Sequence, residues 1–128
     1  MNTNKELQLV TFEQAKRLKE LGYDWAEERY YVNREDRIFI LQYDLNETNN
    51  PNSEESFYSA PTVALALEYI REEKGIKCCV EFYGKDKYTY TIYNKTGARI
   101  FTHQRFDVYK AAESALLDEL LTLLEKEK

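Results

Sequence analysis

The segment Tyr58–Ile76, YSAPTVALALEYIREEKGI, constrains the fold more than any other stretch of the chain. Val63, Leu65, Ala66, Leu67, Tyr69 and Ile70 recur at helical spacing and spread over an arc of about 200°, roughly twice what a surface helix needs. Such a helix must be covered on more than one side, and Ala64 and Ala66 allow a neighbour to come close. Gly75 stops it, with Arg71 and Lys74 in the last turn. Its start falls between two residues. Ser59 is the better cap chemically, whereas Pro61 at the first helical position makes Ala60 the cap, because a residue before proline avoids the helical region.

A covered helix implies a real core, and 128 residues can supply one as a single domain, residues 1–128. Hydrophobic residues at 43% and aromatics at 14% exclude a disordered chain. No apolar run approaches the roughly 20 residues that a bilayer requires, so no membrane partner is expected. MNTNKELQLV has no basic region followed by an apolar block, so a cytoplasmic location is expected. Cys78 and Cys79 are adjacent, and adjacent residues of a strand point to opposite faces. They are read as separate thiols, neither a disulfide nor a shared metal site.

Around the central helix the local signals alternate. VTFEQAKRLKELG carries a capping box, Thr11 with Gln14, and a hydrophobic staple, Val10 with Ala15, before Gly22 ends the helix. RYYVN and RIFILQY flank the turn REDR and read as a hairpin. Residues 43–57, within which DLNETNNPNSEES lies, read as a solvated acidic loop. After the central helix, IKCCVEFYG, KYTYTIY and GARIFTHQRF make three strands joined by GKDK and NKTG. Asp107 then caps a last helix, with Phe106 and Ala111 as its staple. The order αββ-αβββα predicts an α+β two-layer sandwich, antiparallel sheets with helices on one face.

Enzyme chemistry finds little to work with. His103 is the single histidine, nothing in the sequence sets a nucleophile beside it, and the usual zinc spacings do not occur. The glycines Gly22, Gly75, Gly84 and Gly97 all sit at helix ends or turns, so no nucleotide-binding loop can be built from them. NETNNPNSEE lacks the glycine and spacing of an EF-hand. No cofactor, metal or catalytic set is expected.

Two surfaces remain as candidates. The net charge of −5 offers no global attraction to nucleic acid. Locally, however, Ile76–Phe106 holds Lys77, Lys85, Lys87, Lys95, Arg99 and Arg105 against only Glu81 and Asp86. If Ile76, Cys78, Val80 and Phe82 point inward with Tyr90 and Ile92, one outer face carries Lys77, Tyr83, Tyr93, Arg99, Phe101, His103 and Arg105. Cations interleaved with aromatics can stack bases and hold phosphates. The bland alternative is a tyrosine-rich sheet covered by the rest of the fold. The αβββα order matches that of the double-stranded RNA-binding domain, but its histidine-bearing turn and lysine cluster are missing. The other surface is in the last helix, where Leu116, Leu120 and Leu123 run parallel to Leu117, Leu121 and Leu124. One stripe suffices for a sheet, and the second, Leu117, Leu121 and Leu124, is available either to this domain's core or to a partner helix.

TFEQAKRLKELGYDW, YSAPTVALALEYIREEKGI and YKAAESALLDELLTLL together resemble a family of small uncharacterised proteins from bacteriophages and mobile elements of gut Bacteroidetes-type bacteria. That resemblance implies a bacterial cytoplasm and carries over no activity and no functional residue. The chain is therefore expected to be a non-enzymatic interaction module binding a protein partner or itself. Nucleic-acid binding through residues 76–106 is the alternative.

Overall fold

The computed structural model describes residues 8–35, 37–42, 49–93, 99–101 and 104–127, with Ile100 and Phe101 described by their backbone only. Among the described residues the fold is α+β, with three helices and two small antiparallel sheets. The order is α1 (Phe12–Glu20), β1 (Arg29–Arg34), β2 (Arg37–Gln42), β3 (Phe57–Ser59), α2 (Val63–Glu73), β4 (Lys77–Tyr83), β5 (Lys87–Tyr93), β6 (Arg99–Phe101) and α3 (Tyr109–Lys126). The chain divides into two compact units, Met1–Thr62 with Leu124–Lys128, and Val63–Leu123.

In the first unit local chemistry starts α1 as expected. The Thr11 hydroxyl accepts the Gln14 N–H at 3.1 Å, and the Gln14 side chain accepts the Thr11 N–H at 2.9 Å, so two orphan donors are satisfied reciprocally. Val10, Ala15, Leu18, Leu21 and Tyr23 are buried. The sheet runs β2-β1-β3. Phe12 sets its ring edge-on to Tyr31 and Tyr58, at 5.7 and 5.3 Å, which fixes α1 over β1 and β3.

Strand β3 departs from expectation. Phe57 lies in a strand and not in a solvated loop, and Pro51, at the start of a 3-10 turn Pro51–Ser53, is buried. The reason is the side chain of Asn52. Its Nδ2 donates to the Tyr23 carbonyl at 2.9 Å and its Oδ1 accepts the Ser59 N–H at 2.8 Å, tying the turn to the core. Tyr43–Thr48, the earlier part of the expected loop, lies outside the described residues.

The same ties overrule both expected starts for the central helix. The Ser59 N–H is held by Asn52, the Ala60 N–H donates to the Arg29 carbonyl, and the Pro61 carbonyl accepts the Val10 N–H. With the backbone of 59–61 committed to pairing, α2 can begin only at Val63.

In the second unit β4, β5 and β6 are paired in that order, Cys78 opposite Ile92 and Ile92 opposite Ile100. Val63, Ala66, Leu67, Tyr69 and Ile70 of α2 are buried, the wide apolar arc the sequence displays. Helix α3 meets the Tyr88–Tyr90 side of the sheet. Tyr109 lies edge-on to Tyr88 at 5.7 Å, and the Tyr90 hydroxyl donates to Glu119 at 3.4 Å. Asp107 does not cap α3, because its carboxylate holds the Lys87 ammonium while Val108 accepts the first helical bond, from Ala112.

Candidate interaction site

The two edges of the first sheet differ in kind. Arg34 at the end of β1 pairs with Arg37 at the start of β2, and Glu35, which follows β1, takes a positive φ of 49°. The Ala60 N–H bonds to the Arg29 carbonyl, so the odd-numbered residues of β1 face β3 and the even-numbered ones face β2. In β2 this leaves Arg37, Phe39 and Leu41 bonded to β1. Ile38, Ile40 and Gln42 therefore direct their N–H and C=O groups to the free edge.

On the opposite edge β3 is closed by its surroundings. The outward Phe57 N–H donates to the Glu54 carbonyl, and the Phe57 carbonyl accepts from Lys19 Nζ at 2.7 Å. The outward Ser59 N–H is the one that Asn52 takes. Lys19 also donates to the carbonyls of Glu54 and Glu55 at 2.6 and 2.9 Å, and lies 4.6 Å from the Tyr58 ring centre. Three donors meet three acceptors, as an ammonium allows. Burial pushes the Lys19 pKa down against the pull of Glu55 and Glu54. Among the described residues no such group caps β2.

Side-chain exposure completes the contrast. Ile38, Phe39, Ile40 and Leu41 are 50%, 46%, 46% and 43% exposed. Ile38 and Ile40 share a face with Tyr31, and Phe39 and Leu41 share the other with Tyr30 and Val32. A strand that is apolar on both faces has the composition of a sheet interior, yet it occupies an edge. The sequence carried this signal in RIFIL, where the alternation of a half-buried strand is missing. The hairpin was legible, but its position at an open edge was not, because that depends on which strand takes the other side of β1.

The aromatic and basic sheet face of the second unit comes together in part. Lys77 and Arg99 both stand opposite Tyr93, one in each neighbouring strand, and Arg99 lies 5.5 Å from the Tyr93 ring centre. Arg105 stacks on Tyr83 at 4.1 Å and donates to its hydroxyl at 2.5 Å. Between these ends sits Glu81, 3.5 Å from Arg99, its carboxyl held below the usual range first by the Thr91 hydroxyl. The Phe101 side chain and all of His103 lie outside the described residues.

Two expectations for the second unit are corrected. Phe82 does not point into a core. It is 79% exposed, because it lies beside the Gly84 turn, where it contacts Tyr88 at 5.6 Å. Leu117 and Leu121 are fully buried and Leu124 is 7% exposed, so this stripe does not present an open face to a partner helix.

Metal chemistry finds no grouping among the described residues. No three of His, Cys, Asp and Glu are placed to hold a metal ion. Cys78 and Cys79 are free thiols, and burial raises both above the ordinary thiol range, which disfavours the nucleophilic thiolate. No described helix is long and apolar enough to cross a membrane. Comparison with protein-family models, with curated proteins and with solved structures returned no match.

Proposed function

We propose that this chain is an interaction module that binds protein by adding a strand to the open edge of β2. The observation that carries the reading is the combination of outward-facing edge groups on Ile38, Ile40 and Gln42 with four consecutive half-exposed apolar side chains. In strand addition the main chain supplies affinity and alternate side-chain positions supply specificity, and β2 offers both. Free thiols fit a reducing bacterial cytoplasm, and a role in phage or mobile-element maintenance is the one that the resemblance in α1, α2 and α3 implies.

A second reading, nucleic-acid binding by the second sheet, is favoured by the row Lys77, Tyr93 and Arg99. It is the weaker one, because Arg105 is already engaged by Tyr83, and Arg99 by Tyr93 and Glu81.

The test is capture from a bacterial lysate by the tagged full chain and by its Ile40→Lys variant, each with and without nuclease, with untagged chain added. Proteins or untagged chain retained after nuclease by the wild type and lost from the variant are the expected result. Capture that is indifferent to Ile40→Lys, or that disappears only with nuclease, overturns the reading. Loss on nuclease treatment together with loss in Arg99→Ala moves the site to the second sheet.

A further inference from the structure

We propose that the strand added to β2 is β2 of a second copy of this chain, paired antiparallel about a two-fold axis at Ile40. This inference rests on β2 being the binding edge.

Antiparallel strands oppose residues of like orientation, so an edge-facing residue must meet another edge-facing residue. For two copies of β2 this allows registers in which Ile38, Ile40 and Gln42 pair among themselves. Centring the axis on Ile40 places Ile40 opposite Ile40 and Ile38 opposite Gln42, and it engages every free N–H and C=O that β2 offers. Shifting the axis to Phe39 leaves Gln42 without a partner inside the strand.

The side chains agree with the same register. Phe39 falls opposite Leu41 on one face, twice by symmetry, an aromatic against an aliphatic residue. Ile40 meets Ile40 on the other. A strand apolar on both faces calls for a neighbour of the same character, and in this chain β2 is itself such a strand. No charge lies within Ile38–Gln42. Antiparallel pairing also sets the two Arg37 side chains at opposite ends of the ladder.

The arrangement closes on itself. Each copy contributes the β2 edge, and the outer edges of the joined sheet are the two β3 strands, already capped by Lys19, Asn52 and the Glu54 carbonyl. The product is a dimer and not a fibre. An interface built from one strand per copy is small, so the dimer is expected to depend on concentration.

The experiment is sedimentation of the full chain over a range of concentrations, for the wild type, Ile40→Lys, Ile40→Glu and an equimolar mixture of the two variants. Hydrogen exchange of the wild type is followed in parallel. Expected are a wild-type mass rising to twice 15.2 kDa, each variant alone at 15.2 kDa, and the mixture restored to the doubled mass. Only a contact of residue 40 with its own copy lets opposite charges rescue each other there. In exchange, the Ile38, Ile40 and Gln42 amides slow as the wild type is concentrated, which needs no variant to fold.

A dimer in which neither variant lowers the mass overturns both this inference and the β2 reading. Monomeric variants whose mixture stays monomeric overturn the two-fold at Ile40. A wild type that is monomeric at all concentrations with rapidly exchanging edge amides overturns the second copy and leaves β2 open to a different protein. A monomer whose edge amides are slow at every dilution overturns both, because the chain then covers its own edge.

Discussion

The side-chain oxygen of Asn52 accepts the backbone N–H of Ser59 at 2.8 Å, in the position where a further strand would bond. Its nitrogen holds the Tyr23 carbonyl at 2.9 Å, so one amide both blocks the edge of β3 and anchors the turn beside it. Asn52→Ala leaves a donor and an acceptor unmatched. It is expected to cost about 1–3 kcal/mol, read as a lower urea midpoint with the slope of the transition unchanged.

Arg17 and Glu125 form a two-pronged ion pair, Nε to Oε2 and Nη2 to Oε1, both at 2.8 Å. The geometry is the favourable forked one, but both side chains keep contact with water. A double-mutant cycle with Arg17→Ala and Glu125→Ala should give a coupling of about 0.5–1 kcal/mol, falling as salt is added.

Glu27 is buried, and the Tyr23 hydroxyl donates to its Oε2 at 2.6 Å. Burial raises its pKa from the usual 4.5 despite that bond, and burial raises Glu113 in the same direction. A raised carboxyl favours the protonated fold. Its contribution is therefore fully present below about pH 4.5 and is lost as pH rises through the raised value. Thermal melts of Glu27→Gln should show a flatter decline over that interval and higher stability at neutral pH. Glu81 runs the other way, since its lowered pKa gives a contribution lost as pH falls.

Glu35 holds a φ of 49°, which side chains other than glycine and asparagine adopt at a cost. Glu35→Gly and Glu35→Asn should each raise the melting temperature, by the equivalent of about 0.4–1 kcal/mol. A fall with both would show that the Glu35 side chain makes a contact worth more than the strain.

Leu121 separates core from surface. Fully buried, it should lose about 2–5 kcal/mol as Leu121→Ala, whereas Ile38→Thr on the exposed strand should change monomer stability by about 0.5 kcal/mol or less in dilute solution.

What could be read from the sequence were features set by neighbours in the chain. The Thr11–Gln14 box, the hairpin and the shared face of Lys77 and Tyr93 depend on residues a few positions apart or on strict alternation, and all three occur. Three-residue β3 is too short to show a period, and it exists because Asn52 and Arg29 meet it in space. The start of α2 at Val63 follows from the same long-range bonds and defeated both local cap signals. Leu117, Leu121 and Leu124 look alike whether they face a core or a partner, since periodicity shows a face and never what lies on it. For the candidate site, the apolar character of RIFIL was plain. Its exposure was not, because that is a property of the sheet order.

The first unit is discontinuous in sequence, whereas the second is a single run from Val63 to Leu123. During synthesis on the ribosome, everything needed for the second unit emerges before Leu124 and Glu125 do. Arg17 is made early and must wait for a partner 108 residues downstream. The first unit therefore acquires its full set of contacts only after the whole of the second has been synthesised.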